Sequence, residues 1–146
     1  MKRVSRCLCG QLSIPVKGEP LLTVACNCTN CKRRTGSAFS INTYFTKDNV
    51  LDQVGESKGF TLAADTGRKV ESQFCPNCGS TLSWEAEMFP GLIGFAVGTF
   101  TEPTFPKPQV IAFNKRKCHW VTFPEDMLHL EEQDVPPEIA KQLGLV

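Results

Sequence analysis

The residues of this chain best able to do chemistry are thiols, and they are clustered. Cys26-Asn27-Cys28-Thr29-Asn30-Cys31 places three cysteines within six residues and runs at once into Lys32-Arg33-Arg34. If the segment up to Cys28 is extended, the strand period of two puts Cys26 and Cys28 on one face, and a tight turn brings Cys31 round to meet them. Three sulfurs converging on one point make a metal site. Zinc with four protein ligands is structural, whereas three protein ligands leave a position at which a substrate can bind and be polarised. The chemistry therefore turns on whether this cluster has a fourth protein ligand.

A second grouping is Cys75-Pro76-Asn77-Cys78-Gly79-Ser80. A two-residue gap suits two thiolates on one tetrahedral metal, and the glycine permits a turn whose backbone N–H groups face sulfur. Cys7-Leu8-Cys9-Gly10 ends in the same Cys-Gly step. Joined together, Cys7, Cys9, Cys75 and Cys78 form a closed four-sulfur site that stitches the N-terminus to mid-chain. As a structural zinc site it contributes on the order of 10 kcal/mol to folding. A redox-active Cys-x-x-Cys needs a βαβ setting, which the sequence lacks.

Cys26, Cys28 and Cys31 are left with at least one vacancy. Three thiolates on a divalent cation carry net negative charge, and Lys32, Arg33 and Arg34 lie beside them to offset it. Cys118 and His119 are the candidates for closing this second site. His129, with Glu131 and Glu132 nearby, reads as a solvated side chain.

The elements that must position these thiols are strands. From Arg6, Cys7 to Val16 reads as two short extended pieces around a glycine turn, with Leu12, Ile14 and Val16 alternating, which predicts an opening hairpin, and Leu21 to Ala25 is an apolar strand leading into the central cysteines. Thr29 to Arg34 is expected to form one helical turn, capped by Thr29 and ended by Gly36. Strands are expected over Ala38 to Phe45, Thr81 to Glu85, Leu92 to Val97 and Val110 to Asn114. Lys58 to Ala63 and Lys69 to Phe74, separated by Asp65-Thr66-Gly67, predict a hairpin that feeds Cys75. The prolines at 103, 106 and 108 demand a loop. Pro137 to Gly144 predicts a short terminal helix, with a proline start and a glycine stop. The fold class expected is mainly β, with antiparallel sheets organised around two zinc sites, short helical turns and a short C-terminal helix.

The chain has 146 residues, 41% of them hydrophobic, which suits one domain over 1–146 with a modest core. A formal net charge of +1 offers no electrostatic reason to expect nucleic acid or a membrane surface as partner. Met1-Lys2-Arg3-Val4-Ser5-Arg6-Cys7 lacks the apolar run of a signal peptide, and no window approaches the ~20 apolar residues of a membrane span. The expected location is cytoplasmic, where eight cysteines stay reduced and the clustering of all but Cys118 calls for metal.

Taken together, Cys7-Leu8-Cys9-Gly10, the central cysteines with Gly36-Ser37-Ala38-Phe39, Phe74-Cys75-Pro76-Asn77-Cys78-Gly79-Ser80, Gly98-Thr99-Phe100 and the late Trp120 resemble the glutathione-dependent formaldehyde-activating enzyme family, which also includes centromere protein V. The resemblance covers roughly Arg3 to Phe123. It implies a mainly antiparallel β fold with two zinc ions, one held by Cys7, Cys9, Cys75 and Cys78, the other by Cys26, Cys28 and Cys31. Two positions depart from the family's usual pattern. Asn27 stands where a histidine is common, and Cys118-His119 precede the late tryptophan where a small residue or proline is common.

What the resemblance implies about function is a carbon–sulfur lyase. The open zinc, on Cys26, Cys28 and Cys31, takes the thiol of glutathione and lowers its pKa for attack on formaldehyde, giving S-hydroxymethylglutathione. Lys32, Arg33 and Arg34 are then placed to bind the carboxylates of the tripeptide, arginine offering a bidentate fork. The rival reading is a non-catalytic zinc module that binds a protein partner, with Phe39, Tyr44, Phe45 and Phe105 as its contact residues.

Overall fold

The computed structural model describes residues 1–64, 67–132 and 137–142. In chain order these form β1 (Lys2–Arg6), β2 (Ser13–Lys17), β3 (Leu22–Cys26), helix α1 (Thr29–Thr35), β4 (Ser40–Thr46), β5 (Lys58–Ala63), β6 (Lys69–Phe74), β7 (Thr81–Ala86), β8 (Leu92–Ala96), β9 (Val110–Ala112), β10 (Leu128–His129) and helix α2 (Pro137–Gln142). The protein is mainly β, in agreement with the sequence reading. Among the described residues, no helix is long and apolar enough to cross a membrane.

The chain divides into two compact units, Met1–Leu21 with Thr43–Phe105, and Leu22–Asn42 with Pro106–Val146. β4 begins in the second and ends in the first.

In the first unit, β1 and β2 form a separate antiparallel ribbon, and β8, β7, β6 and β5 lie side by side in that order. The β5–β6, β6–β7 and β7–β8 pairings are all antiparallel, as short connections require. Leu12, Ile14 and Val16 alternate onto the core face and pack with Phe45, Leu82, Phe95 and Phe100. The three phenylalanines meet with ring centroids 5.7 to 6.2 Å apart, within the range for favourable aromatic pairs. Cys7 and Cys75 belong to the same buried cluster, so the apolar core carries two of the thiols directly.

The opening ribbon differs from the expectation. Its first strand is Lys2–Arg6 and not the cysteine segment, because Arg3 can be buried in it. Arg3 Nε donates to Glu102 at 3.0 Å, its Nη1 pairs with Glu19 at 3.4 Å, and its guanidinium lies over the Phe105 ring. Cys7 to Leu12 is thereby the loop between the strands, closed by the Cys7 N–H bonding to Leu12 O.

In the second unit the order is β10, β9, β3. Both pairings here, β3–β9 and β9–β10, are parallel, so the sheets are mixed where antiparallel pairing was expected. The physical reason is connection length. β9 returns to β3 after most of the chain has intervened, so no tight hairpin imposes an antiparallel direction. Every residue of β3 is buried, as befits a strand covered on both faces. Ala25, Ile111 and Met127 form the core here, with Ile41 and Phe123 against it and Phe39 edge-on to Phe123.

Helix α2 begins at Pro137 as the sequence predicts, while its proposed stop at Gly144 lies outside the described residues. The same is true of Asp65 and Thr66 in the β5–β6 turn.

Candidate metal centres

The first centre is built by two loops of the first unit. β6 pairs regularly with β7 until its register shifts at Gln73/Phe74, an irregularity that re-aims the strand end just before Cys75. There the chain turns on itself. The Gly79 N–H bonds to Cys75 O at 2.8 Å and the Cys78 N–H points at Cys75 Sγ at 3.5 Å. Gly79 at φ 81° and Gly10 at φ 85° both occupy the left-handed region, which explains why each Cys pair is followed by glycine.

The four sulfurs of Cys7, Cys9, Cys75 and Cys78 all lie within 4.8 Å of one another. Cys9 Sγ is 3.6 Å from Cys7 Sγ and 3.7 Å from Cys75 Sγ. Four thiolates at the usual Zn–S length on a tetrahedron are about 3.8 Å apart along each edge, so the observed spacings fit that ion. They are far too long for a disulfide.

The surroundings also suit thiolate. Gln11 Nε2 donates to Cys75 Sγ at 3.0 Å, the Leu12 N–H to Cys7 Sγ at 3.3 Å, and Ser80 Oγ lies 3.3 Å from Cys78 Sγ. Hydrogen bonds of this kind fix ligand orientation and tune basicity. The Ser80 hydroxyl and backbone pull the Cys78 thiol down to about 5. Burial raises the Cys75 thiol, but Gln11 and the N–H groups of Cys78 and Asn77 bring it below its ordinary value. Cys7, dominated by burial, is pushed up.

The second centre lies at the end of β3. Cys26 is its last residue, and the backbone and side-chain N–H groups of Asn27, itself fully buried, both donate to Ala112 O. Helix α1 then starts. Its cap is Cys28 and not Thr29, because Cys28 Sγ accepts the Cys31 N–H at 3.3 Å. A sulfur takes the place usually filled by a serine or aspartate oxygen, so one thiol both caps the helix and joins the cluster. Gly36 closes the helix as predicted, its N–H bonded to Lys32 O.

The sulfurs of Cys26, Cys28 and Cys31 lie within 4.8 Å of one another. Cys118 and His119 do not join them in that grouping. Cys118 is half-buried and His119 exposed, while His129, also exposed, has Nε2 3.2 Å from Pro124 O. Mutual hydrogen bonding makes the three thiols unequal. Cys26 is raised by its bonds with Cys28 and Cys31 and by burial, and Cys31 is lowered by Cys26 and Cys28. The donor set, three sulfurs converging with one already favoured as thiolate, fits a soft divalent cation such as zinc.

The basic run following Cys31 is divided in its engagements. Lys32 Nζ donates to Arg116 O at 2.5 Å and Arg34 Nη2 to Asn42 Oδ1 at 3.0 Å, while Arg33 is exposed on the helix. All three occupy the last turn of α1, where positive charge complements the helix dipole. Of the aromatic residues considered as partner contacts, Phe45 and Tyr44 are buried, Phe39 packs on Phe123 and Phe105 stacks on Phe100. They serve the core.

Sequence reasoning did not find Gln11, Ser80 or Asn42, whose side chains hydrogen-bond to sulfur. Ser80 adjoins a Cys-x-x-Cys-Gly turn and could have been found from that signal. Gln11 and Asn42 carry no local signal, because what they touch is set by the fold.

With both sites in view, the chain belongs to the glutathione-dependent formaldehyde-activating enzyme family, whose model matches residues 2–116. No curated protein matches the chain. Its fold is similar to that of a Rhodobacter sphaeroides protein known from a crystal structure, with a TM-score of 0.52 at 22% identity over 73% of this chain and 92% of that one.

Proposed function

We propose that this protein is a zinc-dependent carbon–sulfur lyase acting on a glutathione adduct, the joining of glutathione to formaldehyde being the model reaction. The observation that carries this reading is the unequal ligand count, four sulfurs in one cluster and three in the other. Four is the complement of a closed structural zinc, and three leaves a position for substrate. Zinc at the three-sulfur cluster supplies a site at which a thiol is held as thiolate near neutral pH.

The chain's own residues do the rest. Arg33, exposed on α1, presents a guanidinium fork to a carboxylate of the tripeptide. Lys32 and Arg34 hold their charges in fixed positions beside it through Arg116 O and Asn42. Together they offset the negative charge of three thiolates on a divalent ion and favour a thiol peptide that carries two carboxylates. In the net reaction the sulfur bonds to the aldehyde carbon, the carbonyl π bond breaks, and the proton given up by the thiol ends on the carbonyl oxygen. The reverse breaks the same bond.

Cobalt exchange tests the proposal. Glutathione added to the cobalt protein should change the sulfur-to-metal charge-transfer band, and Arg33→Ala should weaken that response without loss of metal. An unchanged spectrum at millimolar glutathione, with Cys118 or His119 found on the metal by anomalous scattering, would mean the second site is closed and the protein is not this enzyme.

A further inference from the structure

We propose that Asn42 is a positioning residue of the three-sulfur centre, its amide relaying the charge of Arg34 to the Cys31 sulfur. The proposal rests on reading that centre as an open metal site. Asn42 lies in β4 and is 6% exposed. Its Oδ1 accepts from Arg34 Nη2 at 3.0 Å, and its Nδ2 donates to Cys31 Sγ at 3.6 Å.

The orientation of this amide is determined by its neighbours. A guanidinium has donors only, so the oxygen of Asn42 must face Arg34 and the NH₂ group must face the sulfur. Hydrogen bonds in series strengthen one another in a site of low dielectric, and a cation at the head of the chain polarises the amide toward the thiolate. The bond to sulfur withdraws negative charge from Cys31.

This answers a chemical difficulty in any three-thiolate centre. Three sulfurs donate so much charge that the metal becomes a weak Lewis acid and binds a fourth ligand poorly. Withdrawing charge from one of them leaves the metal more electron-poor and the fourth ligand more tightly held. Arg34 therefore acts through Asn42 on the metal, a role separate from any contact with substrate carboxylates.

The test uses the cobalt-substituted full-length protein. In Asn42→Leu, which keeps the bulk and loses the donor, the charge-transfer band of the thiol-free protein should move to lower energy, because an unbonded thiolate is easier to oxidise. Arg34→Gln should move it in the same direction by less, and Asn42→Ser, retaining a donor, should move it least. Affinity for 2-mercaptoethanol, which has no carboxylate for the basic run to bind, should fall about tenfold or more in Asn42→Leu, the loss expected when a hydrogen bond to a metal ligand is removed.

An unmoved band in a folded, two-metal Asn42→Leu protein overturns the relay. If that variant does not fold, Arg34→Gln decides the matter on the same band, with a shift in support and no shift against. The two readings fail separately. Lack of any wild-type response to thiol refutes the open site, while a constant band across the thiol-free variants refutes the relay alone.

Discussion

Gln11 Nε2 donates to Cys75 Sγ at 3.0 Å. The same side chain is bonded twice to the backbone of Glu56, Nε2 donating to its carbonyl at 2.7 Å and Oε1 accepting its N–H at 3.0 Å. One glutamine thus ties a sulfur of the four-cysteine cluster to a loop forty-five residues away in sequence. Gln11→Leu should retain the fold and weaken the four-sulfur centre about 10- to 100-fold, the range for losing an outer hydrogen-bond partner of a metal ligand. Competition with a coloured chelator measures it. Unchanged metal release would mean the contact serves only the loop.

The two centres should differ in what their loss does. The whole protein, purified reduced and without added metal, should hold close to two zinc ions, one for each cysteine group. Cys75→Ser removes a fully buried sulfur in the core cluster and should give molten or insoluble protein. Cys31→Ser alters a cluster made of near neighbours in sequence and should leave a folded protein with about one zinc. Elemental analysis with near-ultraviolet circular dichroism separates these outcomes, and equal damage from both changes would contradict the division of roles.

Ser80 connects the pH dependence to a named contact. Its hydroxyl lies 3.3 Å from Cys78 Sγ and accepts the Leu8 N–H at 3.1 Å. It is the main cause holding the Cys78 thiol near 5, down from its ordinary value of 9.0. A group whose folded pKa is depressed stabilises the folded state above the unfolded value and loses that contribution as pH falls through the folded one. Protons compete with the metal for this sulfur, so acidification should release the metal, and Ser80→Ala, which removes the main cause of the lowered pKa, should move the release midpoint to higher pH. A pH titration of the cobalt spectrum reads the midpoint, and a shift to lower pH would contradict the assignment.

Gly94 is the register partner of Trp84 across β7 and β8, and a Cβ there would stand 2.2 Å from Trp84 Nε1. The indole occupies the space that the missing side chain leaves. Gly94→Ala should destabilise the metal-loaded protein by about 1–3 kcal/mol, the usual cost of overpacking. Denaturant unfolding measures this, and in a Trp84→Phe background the same change should cost less. Equal costs in the two backgrounds would show that the indole is not what the methyl meets.

The sequence by itself determined the features that short stretches of chain enforce. Cys75-x-x-Cys78-Gly79 and Cys7-x-Cys9-Gly10 set thiol spacing and turn type within a few bonds, and the alternation of Leu12, Ile14 and Val16 assigned them to one buried face. The Gly36 stop after the basic run was likewise legible, since the end of a helix depends on local backbone preference.

Tertiary structure alone decided what those pieces meet. The burial of Arg3 in β1 depends on Glu19 and on Glu102, far along the chain. The parallel pairing of β3 with β9 joins segments that no hairpin connects. Asn42 and Gln11 have polar side chains of a kind found on any surface. Strand register and loop docking place their amides on sulfur, and those depend on the simultaneous packing of residues distant in sequence, which no local pattern encodes.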